Sequence, residues 1–162
     1  FKRVAGDFPG TPEANQAVAT ALLIYIDLGR VNEYATWVKA LDFVEVTDAD
    51  LDNATYEAAE KKYLDNNTDE AIRQFNGYLN EFPKGLNALQ SHFYIAQLYF
   101  KKDLKDNAAP HFKYVLEASQ SEFTEEALLR LSQIYTEGKN WADAIPVLMR
   151  LEADAKIGRA HV

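Results

Sequence analysis

Residues 89–115 read LQSHFYIAQLYFKKDLKDNAAPHFKYV, and the spacing within that stretch decides the fold. Phe93, Ala96, Tyr99 and Phe100 recur at the three-to-four-residue step of a helix with one apolar face. A polar turn follows at Lys102-Asp103. Asp106-Asn107 then supply the acidic and amide groups that suit the positive end of a new helix. Ala108, Phe112 and Val115 make the apolar stripe of that second helix. The stretch therefore reads as two helices folded back on each other through a tight turn.

The same order of landmarks runs along the chain. Tyr25, Tyr63, Tyr99 and Tyr135 are spaced by 38, 36 and 36 residues. Eight or nine residues after each comes Tyr34, Ala71, Ala108 or Ala144. Four further on stand Val38, Phe75, Phe112 and Leu148, and three beyond those Leu41, Tyr78, Val115 and Leu151. Phe75 and Pro83 are eight apart, as are Phe1 and Pro9, so residues 1–9 read as the end of a further, truncated repeat. Small residues fall where paired helices would cross: Ala59 with Ala71, Ala96 with Ala108, Ser132 with Ala144. The first repeat departs at both places together, with Leu22 and Tyr34. Helices are expected near 12–28, 31–43, 51–65, 68–81, 86–101, 105–118, 122–137 and 141–153. No period-two run of strand length occurs.

These landmarks resemble the tetratricopeptide repeat (TPR) family, whose pattern of Leu-Gly-x-x-Tyr, Ala-x3-Phe and Pro is carried here by Leu98-Tyr99, Ala108-x3-Phe112, Ile134-Tyr135, Ala144-x3-Leu148 and Tyr63, Ala71-x3-Phe75, Pro83. The resemblance implies an all-α fold: a right-handed superhelix, or solenoid, of about four helix pairs plus the truncated one. It also implies a protein–protein interaction scaffold without catalytic activity. The Glu81-Phe82-Pro83 ending is similar to a subgroup common in bacterial envelope proteins, which would place the protein in the periplasm or at the outer membrane rather than in the cytoplasm.

Composition narrows the alternatives. The 162 residues hold 17 Lys and Arg against 25 Asp and Glu, a formal charge of −8, which disfavours a phosphate-binding surface and hence a nucleic-acid partner. The longest uncharged apolar stretch, Ala17 to Ile26, is too short to span a membrane. Cysteine is absent, so no disulfide or thiolate chemistry is available. Zinc-protease, phosphate-loop and nucleophile-elbow motifs are missing, and no catalytic residue, metal ligand or cofactor site is assigned. His92 and His111 read as ordinary packing or solvent-facing residues.

By resemblance to the family, a ligand would lie on the concave face formed by the first helix of each pair. The matching positions give Glu57, Lys61, Leu64 and Asp65; Gln90, Phe93, Gln97, Phe100 and Lys101; and Glu126, Leu129, Gln133 and Thr136. Phe93 and Phe100 share a helical face and are either apolar anchors for a peptide, ringed by Gln90, Gln97 and Lys101, or rings packed against the next repeat. Members of the family that clamp a C-terminal carboxylate use Lys, Asn and Arg. Glu57, Gln97 and Gln133 stand at the corresponding places here, which argues against such a clamp.

The last six residues, Ile157 to Val162, resemble a translated sequencing adapter. Residues 1–155 are therefore expected to be one repeat array, a fragment of a longer protein from environmental DNA, with residues 156–162 a non-native tail. Flanking repeats of the same chain would then cover its ends, including the apolar positions Ala19, Leu23 and Ile26. Two other readings stay open: the targeting arm of a larger enzyme or regulator, and a structural spacer.

Overall fold

The computed structural model describes residues 1–160, with side chains through Lys156. Nine helices and no strand occur among the described residues: α1 (Lys2–Asp7), α2 (Pro12–Asp27), α3 (Val31–Val38), α4 (Asp48–Leu64), α5 (Thr68–Glu81), α6 (Ala88–Lys101), α7 (Lys105–Glu117), α8 (Thr124–Glu137) and α9 (Trp141–Ala160). They group into two compact units, Phe1–Ala88 with α1 to α5, and the remainder with α6 to α9. Of the expected tail, His161 and Val162 lie outside the described residues, as do the side chains from Ile157 on.

Each hairpin turn inside a pair is built the same way. Gly29, Asn66, Asp103 and Lys139 take positive φ of 65°, 58°, 59° and 56°. The N–H of each bonds to the carbonyl three residues back, and the next N–H to the carbonyl five back, at 2.8–3.1 Å (Arg30 to Tyr25, Asn67 to Lys62, Leu104 to Tyr99, Asn140 to Tyr135). This left-handed cap satisfies carbonyls that a helix end leaves without partners. In the second pair it falls one residue earlier relative to the tyrosine, so the turns are spaced 37, 37 and 36 residues apart where the tyrosines are spaced 38, 36 and 36.

Helix starts follow from local chemistry. Thr11 caps α2, its hydroxyl accepting from the Ala14 N–H at 3.2 Å, with Pro12 and Glu13 next. Thr47 and Asp50 form a reciprocal capping box at α4, the Thr47 hydroxyl accepting from the Asp50 N–H at 3.1 Å and the Asp50 carboxylate from the Thr47 N–H at 2.8 Å. Lys61 and Lys62 complement the negative end of the same helix. Pro110 and Pro146 lie one turn inside α7 and α9, so each helix forgoes a single backbone bond.

Within each unit most of the second-helix landmarks enter the core, while Tyr25, Tyr63, Tyr99 and Tyr135 are half-buried. Tyr34, Val38, Ala71, Phe75 and Tyr78 are buried in the first unit, and Ala108, Phe112, Val115 and Ala144 in the second. The expected crossings Ala59–Ala71, Ala96–Ala108 and Ser132–Ala144 are all buried. Removing a phenyl ring from water stabilises by about 2–3 kcal/mol, so Phe75 and Phe112 are leading contributors. Leu148 departs from the pattern and is 42 % exposed on α9.

The first pair needs correction. Its second helix was expected to reach residue 43, but α3 stops at Val38 and α4 begins at Asp48 rather than 51. In this pair Tyr34 stands where the other pairs have alanine. Its ring packs against Tyr25 at 6.0 Å and Trp37 at 5.7 Å, filling the crossing. The chain beyond Val38 leaves the helix, and Leu41, Phe43, Val44 and Val46 pack against the same cluster from irregular backbone. At the other end, α9 runs past the expected residue 153 to Ala160.

Candidate functional site

In the second unit, α6 and α8 converge on a cavity of about 180 Å³ lined by Gln97, Phe100, Lys101, Phe112, Glu126 and Arg130. Phe112 is fully buried, and Phe100 meets it edge to face at 6.4 Å. The Arg130 guanidinium lies 4.9 Å from the centre of the Phe100 ring, and its Nε donates to the Glu126 carboxylate at 2.7 Å. A cation over a ring contributes about 0.5–2 kcal/mol, more than the few tenths expected of an exposed i,i+4 ion pair. The ring therefore holds the arginine in place, with the carboxylate fixing its orientation. An aromatic floor thus carries one paired cation, the exposed ammonium of Lys101 and the amide of Gln97 at its rim. The volume suits one inserted side chain, since pockets for small-molecule cofactors run about 300–1,000 Å³.

Of the residues chosen from sequence, Gln97, Phe100 and Lys101 are brought together here, joined by the groove position Glu126. Arg130 was missed, because it falls between the positions counted from the tyrosine landmark; its i,i+4 spacing to Glu126 was the available signal. Phe93 lies elsewhere. It is 7 % exposed, stacked on Phe123 at 4.6 Å and edge-on to Phe112 at 6.4 Å, within the core of the unit. Gln90 is half-buried on α6. Gln133, half-buried on α8, donates to Glu137 at 2.8 Å. Glu137 also takes Lys105 Nζ at 2.6 Å, which holds that carboxyl below its usual range.

In the first unit, Glu57, Lys61 and Asp65 are exposed along α4 beside the exposed Leu64. Leu23 is 63 % exposed, whereas Ile26, placed on the same face by sequence, is in the core. A second cavity of about 310 Å³ in the α6–α9 unit is floored by Leu128, Leu131 and Tyr135 and bordered by Pro146 and Val147. Across it Arg150 Nη1 donates to the Leu116 carbonyl at 2.7 Å. Among the described residues no group of three metal-ligating side chains occurs, and no helix is long and apolar enough to cross a membrane.

The paired helices, the repeated left-handed caps and the small-residue crossings define a helical-repeat protein. The family model for the tetratricopeptide repeat matches residues 126–154, which span most of α8 and the greater part of α9. Among solved structures, the chain is similar to nearly identical TPR-like repeats from Podosopora anserina, a protein named after kinesin light chain. The TM-score is 0.51 at 15% identity, covering 98% of this chain and 84% of that one. No curated protein matches the sequence. The fold is thus that of TPR-like repeat solenoids, and the matched repeat supports the tetratricopeptide family. Proteins of this fold typically serve as non-catalytic interaction scaffolds.

Proposed function

We propose that this protein is a non-catalytic scaffold that binds a peptide or protein partner on the concave face of its repeat array, with the Phe100–Arg130–Glu126 pocket as the anchor point. The observation that carries this reading is a cavity sized for one side chain whose wall is formed by the groove positions Gln97, Phe100 and Lys101 of α6 together with Glu126 of α8. An apolar side chain of the partner would sit against Phe100, with an acidic or amide neighbour facing Lys101. The acidic net charge supports a protein rather than a nucleic-acid ligand. Glu57, Lys61 and Asp65 on α4, and Gln90 and Gln133, would extend the contact. The Glu81-Phe82-Pro83 ending supports a place in bacterial cell-envelope assembly or division, at the periplasmic or outer-membrane side, alongside flanking repeats of the same chain.

The test is selection of binding peptides from a random display library on the full chain, followed by affinity measurement. Phe100→Ala and Arg130→Ala should each weaken the selected peptides at least tenfold while leaving helical circular dichroism unchanged. Affinities that survive both substitutions would move the site off this pocket. Phe93→Ala is not an equivalent probe, because truncating a buried phenylalanine costs about 3–5 kcal/mol of stability.

A further inference from the structure

His92 and His111, separate packing residues by sequence, meet between α6 and α7. Their Nδ1 atoms stand 2.8 Å apart, with ring centroids 4.9 Å apart and planes at 42°. At this separation one neutral imidazole donates its Nδ1–H to the lone pair of the other. Tyr114 stacks on His92 at 3.7 Å and 17°, and Tyr99 lies 6.1 Å from His111. Among the described residues no carboxylate pairs with either ring. The repeat register shows what this contact replaces. Seven residues before each tyrosine landmark, and three after the landmark that follows it, stand Val18 and Trp37, Tyr56 and Gln74, His92 and His111, and Leu128 and Val147. Of these four pairs only the third changes charge between about pH 5 and 8. Leu128 and Val147 fill the same places on α8 and α9 with apolar side chains, so the fold does not demand imidazoles there. A hydrogen-bonded pair adds little stability over an apolar pair of similar shape, but it makes the contact answer to protons.

We propose that the His92–His111 pair is an acid-sensitive latch, holding α6 and α7 together at neutral pH and letting this one hairpin open as the solution is acidified. A first added proton leaves an imidazolium that still donates across the contact, but in a half-buried place with no carboxylate to offset the charge. A second puts two cations 2.8 Å apart, and the rings must part. Burial pushes both imidazoles below their ordinary range, His92 to about 4 with help from His111. Once the hairpin opens, His92 takes up its proton near the ordinary 6.5. The open form therefore binds more protons between those two values. The contact is at full strength above about pH 7 and weakens as pH falls through 6.5 towards 4. Phe112, which lines the α6–α8 cavity, directly follows His111, so opening of the latch withdraws that ring from the cavity. The latch rests on the α6–α7 contact and not on the binding function proposed above.

The test is amide hydrogen exchange of the full chain at pH 7 and pH 5, corrected for the intrinsic exchange rate. Carboxylates titrate below this window, so histidine protonation dominates it. Opening constants at the end of α6 and the start of α7 should rise at least about tenfold on acidification. Those of the α4–α5 hairpin, with Tyr56 and Gln74 at the same places, should change less than about twofold. Equal rises in both hairpins, or no rise in either, would overturn the latch. His92→Leu combined with His111→Val, the pairing that α8 and α9 use, should abolish the dependence. A folded double variant that keeps it would contradict the proposal. One measurement needs no variant: proton titration of the two imidazoles in the wild-type chain by magnetic resonance. Both should protonate below the ordinary 6.5, and a value at or above it for either ring would also overturn the latch.

Discussion

The turns inside the helix pairs and the connections between pairs obey different rules. Four times the turn within a pair is closed by one residue at positive φ and the same two backbone bonds. The connections that follow are each solved separately. Between α3 and α4 an irregular apolar segment packs on the core and ends in the Thr47–Asp50 capping box. Between α7 and α8 the bonds are local: the Thr124 hydroxyl accepts from the Ser121 N–H at 2.9 Å, and Phe123 stacks on Phe93. Between α5 and α6 the connection is held from a distance by Asp52 of α4, a carboxylate only 4 % exposed. It accepts from the Tyr78 hydroxyl at 2.6 Å, the Leu86 N–H at 2.8 Å and Asn87 Nδ2 at 3.1 Å. A hairpin must return the chain antiparallel over few residues, so backbone geometry allows one economical answer. A connection between pairs need only fill the space available, and side chains decide how.

The largest expected effect breaks that contrast at its extreme. Asp52→Leu leaves three donors without a charged acceptor, and should cost about 3 kcal/mol in denaturant unfolding even after the exposed donors regain water. Thr124→Ala removes one neutral bond at the α7–α8 connection and should cost about 1 kcal/mol. Equal losses would mean that the two connections are held alike.

Next is Gly85→Ala. A Cβ there would lie 2.3 Å from Asp52 Oδ2, 2.4 Å from the Tyr78 hydroxyl oxygen and 2.8 Å from Phe82 Cβ. The carboxylate and tyrosine are buried and cannot swing away, so overpacking should cost about 2 kcal/mol, read as a lowered midpoint on thermal unfolding. A neutral result would show that the α5–α6 connection yields where the geometry says it is fixed.

The smallest effect has the opposite sign. Lys139 carries the positive φ in the fourth turn although Gly138 precedes it with φ near −74°. A left-handed residue with a side chain is strained by about 1–2 kcal/mol, partly offset by the greater freedom of an unfolded glycine. Lys139→Gly should therefore stabilise by about 0.5 kcal/mol, and Gly29→Ala should destabilise. Destabilisation by Lys139→Gly would show that the four turns are not equivalent.

The regular part of this architecture was legible because it is local. Tyr, Ala and Phe landmarks at helical spacing located the pairs, and the helix at Thr68–Glu81 agrees to the residue. The end of α3 was not legible, since Val38 and Leu41 continue a helical spacing while the chain after Val38 packs Leu41, Phe43, Val44 and Val46 on the core from irregular backbone. Asp52 and its partners are 26–35 residues apart, beyond any periodicity. At the candidate site, counting from the tyrosines found Gln97, Phe100 and Lys101. It did not separate Phe93 from Phe100, because one helical face can hold both a buried ring and a pocket-lining ring, and only Phe123 and Arg130 decide which is which.

The pocket between α6 and α8 is the proposed anchor point for a partner. The direct measurement is a two-dimensional amide spectrum of the full chain as a library-selected peptide is added. The largest shifts are expected at residues 97–101 and 126–130, and they should vanish in Phe100→Ala. Shifts centred instead on Glu57 to Asp65 of α4, or unchanged by Phe100→Ala, would contradict the assignment of the binding site.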